Sequence, residues 1–138
     1  MAGELILVVD DNPLNLKVTD ITLRSEGYIV HSAANALQAL ELLAGLHPDL
    51  MLVDVQMPGM DGLELTRRIK SDGRTRDIPV VALTASAMRI DEENALQAGC
   101  DAFITKPINT RTLCSRVRGF LDNRPGAPGS EGPAVPTQ

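Results

Sequence analysis

Short apolar runs alternate with helix-period segments five times along this chain, and that alternation leaves few folds open. The runs are Leu5–Val9, Ile29–Ala33, Leu50–Val53, Pro79–Leu83 and Ala102–Thr105. Between and after them, apolar residues recur at helical spacing. The first helix is predicted from Asn12-Pro13, an N-cap followed by proline at the first helical position, to about Glu26, with Gly27 as its stop. Ala36, Leu37, Leu40, Leu43 and Ala44 mark the second, ended by Gly45. The third runs from Leu63 to about Ser71, the fourth from Met88 to Ala98 with Gly99 behind it, and the fifth from about Thr110 to Leu121. The first, third and fourth runs are continuously apolar, as strands covered on both faces are. Repeated βα units of this kind predict a parallel sheet with helices on both sides.

At 138 residues, of which 43% are apolar and 22% charged, the chain has the size and composition of one globular domain. Its last stretch differs. Arg124–Gln138 holds seven Pro or Gly among fifteen residues and too little apolar surface to offset the entropy of ordering. The expected organisation is a folded domain over 3–123 and a flexible tail or linker over 124–138. The aromatics are Tyr28, Phe103 and Phe120, which excludes a stacking platform for single-stranded nucleic acid. A net charge of −5 argues against binding nucleic acid through the phosphate backbone. Cys100 and Cys114 show no metal spacing and read as buried or semi-buried thiols of a reducing compartment. His31 and His47 do not form a metal site. The run Leu5–Val9 is too short for a signal-peptide core or a membrane span, so a soluble, cytoplasmic protein is expected.

Chemistry gathers at the carboxyl ends of the predicted strands. There stand Asp10-Asp11, Asp54, Thr84 and Lys106, after the first, third, fourth and fifth strands. Taken singly, each has an ordinary explanation: an aspartate or threonine after a strand commonly caps the next helix, and a lysine there is commonly solvated. Taken together, they fall at one edge of the sheet, where parallel α/β folds bind ligands. Three carboxylates sharing a small site require counter-charge. Lys106 supplies one, and a divalent cation would supply the rest. Hard oxygen donors without cysteine or histidine favour Mg²⁺.

The segments VVDDNPLN (Val8–Asn15), LVDVQMPGMDG (Leu52–Gly62), VVALTAS (Val80–Ser86) and AFITKP (Ala102–Pro107) resemble, at these separations, the receiver domains of two-component response regulators, the CheY-like family. The resemblance runs from about Leu5 to Leu121. It implies a doubly wound (βα)5, flavodoxin-like fold with strand order 2-1-3-4-5. It implies Asp54 as the phosphoacceptor, taking a phosphoryl group from a phosphohistidine of a sensor kinase or phosphotransfer protein. Asp11 would hold Mg²⁺ directly and Asp10 mainly through water, with Asp54 and the backbone carbonyl of Gln56 completing the protein ligands. Thr84 would hydrogen-bond the phosphoryl group and Lys106 would pair with it, and Lys106-Pro107 matches the family's usual cis peptide. Phe103 stands at the position of the switch aromatic. Gln56 and Ser86 match the positions bordering the path of the hydrolytic water. An uncharged Ser86 implies slower self-dephosphorylation than an acidic residue would give.

The chemistry is that of a switch and not of a turnover enzyme. A carboxylate is ionised at neutral pH and needs no general base to act as a nucleophile. The obstacle is the approach of an anion to an anionic phosphoryl group, which Mg²⁺ and Lys106 would relieve. The new charge would move Thr84 and Phe103 and change the face formed by the fourth helix, fifth strand and fifth helix. That face is expected to meet a kinase, an output domain or another receiver, with the protein a monomer or a phosphorylation-dependent dimer. The segment Ala85–Asn94 is most similar to stand-alone cell-cycle receivers and to receivers of hybrid kinases or diguanylate cyclases. Either a stand-alone receiver or a domain of a longer chain fits the tail. A haloacid-dehalogenase-type phosphatase needs a second acid where Asp54-Val55-Gln56 has glutamine. A flavodoxin-like FMN module needs a phosphate loop where Asp10-Asp11 would repel phosphate.

Overall fold

The computed structural model describes residues 3–55, 62–84, 93–94, 96–105 and 109–122. Five strands, β1 (Leu5–Val9), β2 (Ile29–Ala33), β3 (Leu50–Asp54), β4 (Val80–Thr84) and β5 (Ala102–Thr105), form one parallel sheet in the order β2-β1-β3-β4-β5. Helices α1 (Pro13–Arg24), α2 (Ala36–Leu43) and α3 (Gly62–Ser71) follow the first three strands, and a C-terminal helix spans Thr110–Asp122. Of the fourth expected helix, Glu93, Asn94, Leu96 and Gln97 are helical, and Gly99 closes the segment at a φ of +107°. Met88, Ile90 and Ala95 lie outside the described residues, as does the expected tail, 124–138.

Alternate residues along each inner strand face opposite sides, and both sides are dry. Leu7, Val9, Met51, Val53, Val80 and Ala82 pack against Ala36 and Ala39 of α2 and Leu65 and Ile69 of α3. Ile6, Val8, Leu50, Leu52, Val81 and Leu83 pack against Leu23 of α1 and Leu113, Val117 and Leu121 of the C-terminal helix. Among the described residues, α2 and α3 therefore cover one face and α1 and the C-terminal helix the other, as right-handed crossovers in this strand order place them. At the edge, β2 buries Val30 and Ala33 and exposes Ile29, His31 and Ser32. The order places β1 between β2 and β3, so the crevice where the winding reverses opens at the carboxyl ends of β1 and β3.

Element ends differ from the sequence expectation by one or two residues. Helix α1 stops at Arg24 and not Glu26, because its last turn tightens: Glu26 N–H donates to Leu23 O at 3.0 Å and Gly27 N–H to Arg24 O at 2.9 Å. Gly27 then turns the chain at a φ of +93°. Strands β3 and β4 each run one residue further than their apolar runs, since Asp54 stays in register with Leu83 and Thr84 with Thr105. Pro79 precedes β4 and has no N–H for a ladder, yet its carbonyl accepts Met51 N–H at 2.9 Å.

Two buried acids, Tyr28 and Cys100, and the half-buried Cys114 set an alkaline limit. Burial pushes the thiol pKa values of Cys100 and Cys114 up, and it does the same to the Tyr28 phenol. The folded chain therefore keeps protons that the unfolded chain releases. The stabilisation is complete below about pH 8.5, the ordinary thiol value, and is lost as pH rises through the folded-state values. The melting midpoint is expected to fall as pH rises above about 8.5. A flat or rising midpoint above that pH in a thermal melt series contradicts this.

Candidate functional site

The site begins with strand register. Val9 of β1 lies opposite Val53 of β3, so the next residues, Asp10 and Asp54, emerge side by side at the crevice. Asp10 still belongs to the sheet through its N–H, which donates to Ala33 O at 3.1 Å. Its carboxylate and that of Asp54 are buried, whereas Asp11 is exposed at the mouth. Ligand oxygens of Asp10, Asp11 and Asp54 all lie within 4.8 Å of one another. Thr84, also buried, ends the strand on the far side of β3.

The turn after β1 is organised around Asp10. Its Oδ1 accepts the Asn12 N–H at 2.9 Å, and its Oδ2 accepts from Asn15 Nδ2 at 3.3 Å. Asn12 is the N-cap of α1, its Oδ1 accepting the N–H groups of Leu14 at 2.9 Å and Asn15 at 3.3 Å. Pro13 at the first helical position costs no hydrogen bond.

The end of β3 is shaped by α3. Gly62 starts that helix directly against the backbone of Asp54 and Val55: a Cβ there would stand 2.7 Å from Val55 Cα and 2.8 Å from Asp54 C, and closer still to Asp54 O. Gly62 has no left-handed φ, so space is the requirement. Thr66, fully buried one turn later, donates its hydroxyl to Gly62 O at 2.8 Å and accepts from Cys100 Sγ at 3.7 Å.

Phe103 stands in β5 opposite Ala82, partly buried against the core side formed with α2 and α3. Its carbonyl accepts from Arg116 Nη2 at 3.3 Å, and the same guanidinium lies 5.9 Å from the centre of the Phe120 ring. Of the residues singled out by sequence, Asp10, Asp11 and Asp54 come together, and Thr84 ends the adjacent strand. Gln56, Ser86, Lys106 and Pro107 lie outside the described residues. Gly62, Asn15 and Arg116 were not assigned roles by sequence reasoning. The first two have the signal of lying inside the motif segments, at Leu52–Gly62 and Val8–Asn15.

The donor set fits a hard divalent cation. It offers carboxylate oxygens without sulfur or imidazole, two of the three are buried, and their mutual repulsion favours a bound cation. No helix among the described residues is long and apolar enough to cross a membrane.

Comparison with known proteins agrees with this geometry. Residues 6–118 match the family described as the response regulator receiver domain. The polar-differentiation response regulator DivK of Brucella ovis is 40% identical over 116 residues, covering 84% of this chain and 94% of DivK. The signal receiver domain of a signal transduction histidine kinase from Syntrophus aciditrophicus is 34% identical, with a TM-score of 0.82 over 96% of this chain and 100% of that one. The receiver domain of a sensor histidine kinase from Pseudomonas aeruginosa PAO1, which has a magnesium ion coordinated in its active site cleft, is 37% identical, with a TM-score of 0.79 over 86% of this chain and 98% of that one. The chain belongs to the response regulator receiver domains, the CheY-like phosphorylation-dependent signalling switches of two-component systems.

Proposed function

We propose that Asp54 is the phosphoacceptor and that Asp10 and Asp11, with Asp54 and the Gln56 carbonyl, hold Mg²⁺. The convergence of the three carboxylates within 4.8 Å at the crevice carries this reading. A carboxylate oxygen of Asp54 attacks phosphorus of a phosphohistidine; the O–P bond forms as the P–N bond breaks, and the imidazole leaves with the electron pair. A bound Mg²⁺ would neutralise charge on the phosphoryl oxygens. Asp10 and Asp11 orient the entry side of the cleft, Thr84 offers its hydroxyl to the phosphoryl oxygens, and Lys106 pairs with them. Gln56 and Ser86 border the path of the hydrolytic water, and an uncharged Ser86 gives it little help. The chain is not a turnover enzyme in this reading: it is left phosphorylated until water releases phosphate.

The receiver domain spans 3–123 in this reading, with 124–138 as a flexible tail or linker. The phosphodonor is a histidine kinase or histidine phosphotransfer protein, met in the cytoplasm. Both cysteines of the chain are free thiols, in keeping with a reducing compartment. Output passes through the face built from the fourth helix, β5 and the C-terminal helix, by contact with an effector, an output domain or another receiver. Phe103 is its sensor, because its side chain is only partly buried while its carbonyl is tied to Arg116 of the C-terminal helix.

Beryllofluoride with Mg²⁺, a stand-in for the phosphoryl group, tests the switch by amide NMR. Shifts are expected around Asp10, Asp54 and Thr84 and also at Phe103, Leu96 and Arg116. Partners need sense no more than a tenfold affinity change, about 1.4 kcal/mol. Shifts confined to the cleft, with nothing at Phe103 or Leu96, leave a phosphate store and no switch.

A further inference from the structure

Helix α1 departs from the usual way a helix start satisfies itself, and the departure bears on the acidic cluster. In a capping box, a glutamate or glutamine at the third helical position reaches back to the N-cap N–H. Here the N-cap is Asn12 and the third helical position is Asn15. The Asn12 N–H is taken by Asp10 Oδ1 at 2.9 Å, so Asp10 does the work of the capping-box acid. The Asn15 side chain, released from that task, turns its Nδ2 to the other oxygen, Asp10 Oδ2, at 3.3 Å. Its own N–H is held by Asn12 Oδ1 at 3.3 Å, which fixes the start of the side chain. The two oxygens of Asp10 are thus each gripped by a donor from the first turn of α1.

We infer that Asn15 is a positioning residue for the cation site: it locks the rotation of the Asp10 carboxylate with a donor that carries no charge. This rests on the proposal that Asp10, Asp11 and Asp54 hold Mg²⁺. A glutamate at this position would bring a fourth carboxylate to the cluster. A lysine or arginine would fill the role of the cation and compete with it. An amide does neither, and outer hydrogen bonds of this kind typically tune metal affinity by about 10–100-fold. A carboxylate has about four lone-pair sites, so two such hydrogen bonds do not exhaust its capacity toward a cation or its bound water.

The test is an Mg²⁺ titration of the full chain followed by amide NMR, with the melting midpoint measured separately without Mg²⁺. The parent should show saturable shifts near Asp10, Asp11 and Asp54. Asn15→Leu, which keeps size and improves helix propensity, should raise the Kd for Mg²⁺ about tenfold without lowering the metal-free melting midpoint. Asn15→Lys should raise the Kd at least as far while raising the metal-free midpoint, a split in sign that a merely structural residue does not produce. Parent-like Kd values in both variants overturn the role of Asn15 and leave the metal site standing. Absence of saturable binding to the parent overturns the metal site and this inference with it.

Discussion

Gly62→Ala is expected to lower the melting midpoint by about 4–12 °C, the equivalent of about 1–3 kcal/mol of overpacking in a domain of this size. It should also slow phosphorylation by a small-molecule donor at least tenfold. The added methyl meets backbone, at 2.7 Å from Val55 Cα and 2.8 Å from Asp54 C, and backbone cannot rotate aside as a side chain can. The end of β3 is also held from the other direction, with Asp54 in register with Leu83 and Val55 N–H donating to Leu83 O at 3.1 Å. Helix α3 must therefore back away, and it takes Leu65, Thr66 and Ile69 from the core with it. If the strand yields instead, Asp54 moves relative to Asp10 and Asp11. Displacements of about 1 Å at a reacting centre can cost about a hundredfold in rate. Both routes damage the same site, so stability and labelling rate should fall together. A parent-like midpoint with a parent-like rate means that the close approach of α3 to β3 is not what sets the site.

The sheet and the acidic cluster were legible in the sequence for a physical reason. Parallel strands covered on both faces must be apolar throughout, so Leu5–Val9, Leu50–Val53 and Pro79–Leu83 stand out as runs, and a carboxylate at the end of such a run is conspicuous. Asp10, Asp11, Asp54 and Thr84 were visible in that way. The strand order was not: the local pattern gives βα units, and the order came with the family resemblance. The ends of α1, α2, α3 and the C-terminal helix were legible to within two residues and no closer, because features such as the tightened turn at Leu23–Gly27 depend on hydrogen bonds that spacing does not encode. Gly62 reads along the chain as part of a Pro/Gly loop. Its role is set by how closely α3 approaches β3, which is a tertiary distance. Asn15 likewise reads as an ordinary polar residue of an amphipathic helix until the turn after β1 brings it to Asp10. The pairing of Thr66 with Cys100 joins residues 34 positions apart and leaves no local trace.

In the proposed reaction one carboxylate, Asp54, receives the phosphoryl group. The substitution Asp54→Asn keeps nearly the same shape but offers a neutral amide, a far weaker nucleophile than an ionised carboxylate, so labelling should disappear and not merely slow. The neighbours do not substitute for it. Asp11 is exposed at the mouth, and hydrogen bonds from the start of α1 hold the Asp10 carboxylate in one rotation. Cation shielding is required as well, because three carboxylates within 4.8 Å repel an anionic donor. The direct measurement is intact-mass spectrometry after incubation with acetyl phosphate and Mg²⁺. The parent should gain one phosphoryl group, Asp54→Asn none, and the parent in excess EDTA none. Equal labelling of the parent and Asp54→Asn would place the phosphoryl group on another residue.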